Sequence, residues 1–176
     1  MKSTIHIQKM EEKDIEEVAD LLVKSWQNAY QGIVEQSYLA GLTQETKRNR
    51  IMENFRKTTH QNQYVVAKEE GEVIGYMKYG NRVDQLGRFL RYDAEIEGLY
   101  VKEGRLREGI GTELVNYAKQ KLKQEKKHNM IIWCLKENYP SRKFYEKIGG
   151  ILLGEKHCPI GEKEYTLVAY GYSLKS

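Results

Sequence analysis

The chain has 176 residues, long enough for a single domain with a proper core, and its 29 Lys+Arg against 25 Asp+Glu give a net charge of +4. So mild an excess does not require nucleic acid as a partner; two cysteines are too few for a disulfide framework or a cysteine metal site, and no apolar run is long enough to span a bilayer. With no signal-peptide pattern at Met1-Lys2-Ser3, the expected setting is a reducing cytoplasm, with no membrane partner and no metal.

In chain order, a strand is expected at about Ile5 to Lys9. An amphipathic helix follows, with Ile15, Val18, Leu22 and Trp26 near helical spacing and Asp14 close to its start. A loop through Tyr30-Gln31-Gly32 leads to a second helical region, about Gln36 to Arg56, broken near Gly41 with Thr43 as a cap. Tyr64 to Lys68 and Val73 to Tyr79 form a hairpin around Glu70-Gly71. Asn81 to Asp93 is polar and irregular. Then come a bulged strand, a helix carrying Ile110, Leu114, Ala118 and Leu122, another strand, another helix, and a last pair of strands around Pro159-Ile160-Gly161. The order predicts an α/β (α+β) fold with a mixed, mostly antiparallel sheet, helices on both faces and one parallel splay. The basic run Lys119 to Lys127 reads as a solvated helix end whose lysines complement the dipole.

The stretch Ala94 to Val115, AEIEGLYVKEGRLREGIGTELV, carries the chemistry. A glycine turn between a strand and a helix can hold a phosphate, because the first helical N–H groups lack partners and the dipole adds positive charge. Gly111 is followed by Thr112 and Glu113, so a Walker A loop is excluded, and Leu114 stands where a dinucleotide fingerprint needs its third glycine. Taken alone, the two glycines fit an ordinary turn as well. The strand decides: Ile96 to Leu99 is a step of three, which a regular strand cannot keep on one face. An extra residue near Glu97-Gly98, a β-bulge, restores the face and frees backbone groups for an extended amide ligand. A phosphate site preceded by free strand groups suits coenzyme A, whose pantetheine arm carries amides and leads to a pyrophosphate.

The second informative segment is Ile131 to Gly150, IIWCLKENYPSRKFYEKIGG: a buried strand, a loop at Lys136-Glu137, then a helix. Asn138 is a candidate N-cap, with Pro140 in the first turn as the alternative start. Cys134 is expected to be a buried free thiol; Cys158 is either an inert strand cysteine or a nucleophile.

Together, LYVKEGRLREGIGTELV and WCLKEN…SRKFYEKIGG resemble the acetyl-CoA-binding motif of the Gcn5-related N-acetyltransferases and the asparagine and Phe-Tyr-x-x-x-Gly that follow it. Trp26, Tyr30, Gly32 and Ile33, and the hairpin GEVIGY, extend the resemblance over nearly the whole chain. It implies the acyl-CoA N-acyltransferase fold over residues 1–176, acetyl-CoA as donor, and direct acetyl transfer to a primary amine. It also implies site residues. Glu95 is the first choice of base and Glu97 the alternative; the Leu99 N–H faces the oxyanion, and Tyr100 and Val101 continue the pantetheine ladder. Leu106, Arg107, Glu108, Gly109, Ile110, Gly111 and Thr112 form the pyrophosphate loop. Asn138 and Ser141 hold the pantetheine arm, and Tyr145 protonates the leaving sulfur while Phe144 fills the core. The chain departs from the family at Leu106, where Gln or Arg is usual; the backbone N–H survives, and Arg105 and Arg107 flank it.

The expected acceptor is a small amine or a peptide, walled by the first helices and the 81–93 loop, with Trp26, Tyr30 and Tyr38 as candidates. Arg82, Arg88 and Arg91 beside Asp84 and Asp93 are compatible with an acceptor that carries a carboxylate, or are solvated loop charges. Two other readings stay open: a regulatory domain that binds coenzyme A without catalysis, and a protein or peptide acetyltransferase. A monomer or a homodimer is expected.

Overall fold

The computed structural model describes residues 3–57, 62–82, 89 and 91–175. The strands are β1 (Ile5–Lys9), β2 (Asn62–Glu69), β3 (Glu72–Asn81), β4 (Ala94–Val101), β5 (Asn129–Leu135), β6 (Ile151–Ile160) and β7 (Lys163–Ser173). The helices are α1 (Ile15–Ala29), α2 (Gln36–Ala40), α3 (Gln44–Arg56), α4 (Ile110–Gln124) and α5 (Tyr139–Lys147), with a 3-10 turn at Glu12–Asp14. The second helical region breaks at Gly41, as its sequence predicts, and the Thr43 hydroxyl accepts the Thr46 N–H at 3.2 Å to start α3.

The sheet runs β1-β2-β3-β4-β5-β7-β6, and only β4 and β5 are parallel. Strand alternation sends side chains to opposite faces. Val65, Ala67, Ile74, Met77 and Tyr79 meet Ile110, Leu114, Ala118 and Leu122 of α4. Their neighbours Tyr64, Val66, Val73 and Tyr76 meet Ile15, Val18, Ala19 and Leu22 of α1 and Ile51 of α3. Gly75 lets α4 approach closely, because a Cβ there would sit 3.1 Å from Ile110 and Leu114. At the other end, Lys68 pairs with the buried Asp14 at 2.5 Å and ties β2 to the start of α1. This is the mixed sheet with helices on both faces that the order of elements predicts, and no described helix is long and apolar enough to cross a membrane.

Candidate active site

Strands β4 and β5 pair only at Ala94–Met130, Glu95–Ile131 and Ile96–Ile132, and then part. The predicted bulge is there: Tyr79 faces Ile96 and Lys78 faces Gly98, so Glu97 is the extra residue. Beyond it, Leu99, Tyr100 and Val101 stay paired with Met77, Tyr76 and Gly75 of β3, and their other edge opens into the splay. At the mouth of the splay stands the N-terminus of α4. Gly104, Arg107 and Gly109 have φ of +83°, +68° and +86°, a left-handed path that curls the loop's amides inward. No side chain caps α4, and the Glu113 N–H is the first to turn back, to the Gly109 carbonyl at 3.0 Å. Among the described residues, the N–H groups of Ile110, Gly111 and Thr112 have no acceptor. Leu106 points outward, 64 % exposed. Arg105 lines the cleft with its charge already paired, to Glu69 and Glu108 at 2.6 Å. Arg107 lines the cleft and makes no ion pair among the described residues.

Across the splay, α5 begins at Asn138, whose side chain accepts the Ser141 N–H at 3.4 Å, and Pro140 occupies the first turn; both start signals in the sequence are used. Tyr145 is the buried aromatic of α5, and Phe144 is half-buried, its ring 3.1 Å from where a Cβ on Gly111 would sit. Phe144 packs against the core as its sequence suggests, Tyr145 lies deeper in the same core, and both rings line the splay. The Tyr145 phenol lines the cleft and makes no hydrogen bond among the described residues. Burial first, then Cys134, Tyr100 and Tyr172, push it well above the ordinary tyrosine range, so it carries its proton. Burial also raises the half-buried Cys134 thiol to about 12, which leaves it inert as a nucleophile.

The cleft, about 1670 Å³, continues through the splay to the other face of the sheet. There Trp26, Tyr30 and Tyr38 form a wall, with Trp26 and Tyr30 edge to face at 4.9 Å. The Trp26 indole N–H donates to the Tyr100 hydroxyl at 3.2 Å, and Tyr30 is hydrogen-bonded to the same oxygen. Gly98 makes room for this hub, since a Cβ there would be 2.9 Å from the Tyr100 ring. Burial raises both tyrosine pKa values, so the hub is a neutral hydroxyl cluster.

The two candidate bases differ in place. Glu97 lines the cleft and is paired with Lys78 at 2.7 Å. Glu95 is half-buried beside Trp133 and Glu97, off the cleft wall. Burial, and then the Glu97 charge, hold the Glu95 carboxyl up to about 7. The Trp133 indole N–H nearby is buried without a closed hydrogen bond.

Arg82 and Asp93 of the 81–93 segment are used within the fold. Arg82 is buried, donating to the carbonyls of Phe89 and Tyr92; Asp93 accepts the His128 and Asn129 N–H groups at the start of β5. Neither they nor Arg91 line the cleft, and Asp84 and Arg88 lie outside the described residues. Sequence reasoning missed Lys47, Arg50 and Lys78, which do line it. Lys47 and Arg50 share a helix face with Ile51 and Asn54, and that i, i+3, i+4, i+7 spacing was the available signal.

Residues 16–150 match the sequence model of the acetyltransferase (GNAT) family. The chain belongs to this family. Among GNAT relatives, it is 27% identical over 161 residues to the uncharacterized N-acetyltransferase YuaI of Bacillus subtilis (strain 168), covering 91% of this chain and 88% of that one. Its fold is similar to that of the PaiA N-acetyltransferase from Thermoplasma acidophilum, solved in complex with coenzyme A, with a TM-score of 0.67, 19% identity and coverage of 94% and 98%. It is also similar to YncA from Salmonella typhimurium, solved with acetyl-CoA, with a TM-score of 0.69, 14% identity and coverage of 99% and 96%. As a GNAT member the chain is an N-acetyltransferase, and both solved neighbours bear the cofactor type that the family uses.

Proposed function

We propose that the chain, acting as one catalytic domain in a reducing cytoplasm, moves an acetyl group from acetyl-CoA directly to a primary amine. One observation carries this reading: the uncapped N-terminus of α4, the open edge of β4 and the protonated Tyr145 phenol converge on a single cleft. The amides of Leu106, Arg107, Glu108, Gly109, Ile110, Gly111 and Thr112 hold the pyrophosphate, and Arg107 supplies the charge that Leu106 does not. Leu99, Tyr100 and Val101 offer their free backbone groups to the pantetheine arm from one side, Asn138 and Ser141 from the other.

When bound, acetyl-CoA supplies an activated thioester. The amine nitrogen forms the new N–C bond, and the C–S bond breaks. The Leu99 N–H stabilises the negative charge that develops on the carbonyl oxygen. The amine's proton leaves through Glu97 or a water to Glu95, whose pKa near 7 suits a base at neutral pH. Tyr145 gives its proton to the departing sulfur. No covalent enzyme intermediate is needed.

The test is thiol release from acetyl-CoA across amines and amino-terminal peptides, with mass spectrometry of the products and a melting curve alongside. Release that needs the amine and yields its N-acetyl derivative supports the transferase. Thermal stabilisation by acetyl-CoA with no amine-dependent release would favour a regulatory coenzyme A sensor. No stabilisation would overturn the donor-site assignment.

A further inference from the structure

Five cations line the cleft without an ion-pair partner among the described residues: Lys47, Arg50, Arg107, Lys143 and Lys147. They fall in two groups, separated by the sheet. Arg107 lies in the loop before α4, and Lys143 and Lys147 on α5, where the donor's phosphates account for them. Lys47 and Arg50 lie on α3, which packs on the opposite face, against α1. The sheet stands between them and the N-terminus of α4.

Lys47 is half-buried. Its Nζ lies 4.3 Å above the Trp26 ring, and Arg50 stands one turn on at the exposed rim. Burial first, and then the charge of Arg50, lower the Lys47 pKa. The carboxylates that line the cleft are engaged elsewhere: Glu97 with Lys78 at 2.7 Å, and Glu103 with the Asn28 amide at 2.7 Å. Trp26 in turn donates to Tyr100 on β4, so the cation pair stands one indole and one phenol from the strand that borders the splay.

We propose that the acceptor is a small amine bearing a carboxylate, which Lys47 and Arg50 hold while its amino group faces Glu97 and the splay. The proposal rests on the transferase reading above and adds the acceptor's chemical class. A planar guanidinium beside an ammonium on an aromatic platform fits a carboxylate, which can take the arginine's paired N–H donors.

The experiment measures kcat/KM with matched acceptors: amino acids, their amides, the corresponding plain amines, and aminoalkylphosphonates. Wild type, Lys47→Gln, Arg50→Gln and the charge-preserving Lys47→Arg are compared. Wild type is expected to favour the acid over its amide by at least about tenfold, and each Gln variant to shrink that ratio by about tenfold. KM for acetyl-CoA should not move, and Lys47→Arg should restore much of the preference. A merely structural role would lower all acceptors together, which would overturn the proposal. Amides or plain amines used as well as acids would overturn it and leave the transferase reading intact. A preference for the phosphonate would overturn the carboxylate assignment. No release with any acceptor would overturn the transferase reading, and this one with it.

Discussion

Glu95 and Glu97 flank the point where β4 gains its extra residue, and the bulge gives them different work. Glu97 faces the cleft with its charge matched by Lys78; Glu95, half-buried, keeps its proton up to about pH 7. Activity should therefore rise with pH through an apparent pKa near 7, and Glu95→Gln should abolish that limb and lower kcat by about a hundredfold. A pH profile of kcat/KM for both proteins reads it. Stability moves the other way. The fold holds this proton more tightly than the unfolded chain does, so the contribution is complete below the ordinary carboxylate range and is lost as pH rises through about 7. The two glutamates were visible in the sequence as alternatives. Which one meets the cleft was not, because it depends on which residue the bulge leaves unpaired. Tyr145 and Phe144 pose the same difficulty: neighbours on a helix differ by about 100° in direction, and only the seating of α5 orders their depth.

At the scale of elements, the proposed donor site is the junction of a splayed strand pair with one helix terminus. The period break from Ile96 to Leu99 and the paired glycines made this junction legible, since both are local departures from regular structure. Gly109 sets the loop's left-handed path with φ of +86°, and nothing lies within 4 Å of where its Cβ would be. Gly109→Ala thus introduces no clash but forces an L-residue into an unfavourable backbone, at a cost of about 1 kcal/mol. KM for acetyl-CoA should rise about fivefold with kcat retained, as steady-state kinetics would show. Helix α3 was the opposite case. It is strongly polar, and which polar face meets the cleft follows from its packing against α1, so Lys47 and Arg50 carried no sequence signal beyond their spacing.

For the whole molecule, the sheet carries its two largest core clusters on opposite faces, one under α4 and one under α1 and α3, and the cleft passes between its halves. The Asp14–Lys68 pair fastens the second core at its edge, with side chains 3% and 12% exposed. Asp14 also accepts the Glu11 N–H at 2.8 Å. Removing the cation strands a buried carboxylate, so Lys68→Met should destabilise the fold by about 3 kcal/mol. Melting temperature should fall by about 6–12 °C, measured by calorimetry at pH 7. The order of elements, the hairpins and the α4 core face were readable because periodicity and turn chemistry are local. The far half of the cleft was legible only in Trp26, Tyr30 and Tyr38, because its wall is assembled from α1, α2, α3, β3 and the β6–β7 turn, which meet only in the folded chain.

In the proposed reaction this cleft transfers acetyl to an amine, with Tyr145 as the acid for the leaving thiolate. Thiol release from acetyl-CoA, compared between wild type and Tyr145→Phe with one accepted amine, tests it most directly. In Tyr145→Phe, kcat should fall about a hundredfold, with KM for acetyl-CoA and the melting temperature unchanged. An unchanged kcat would contradict it, and would make Tyr145 a core aromatic with no part in the chemistry.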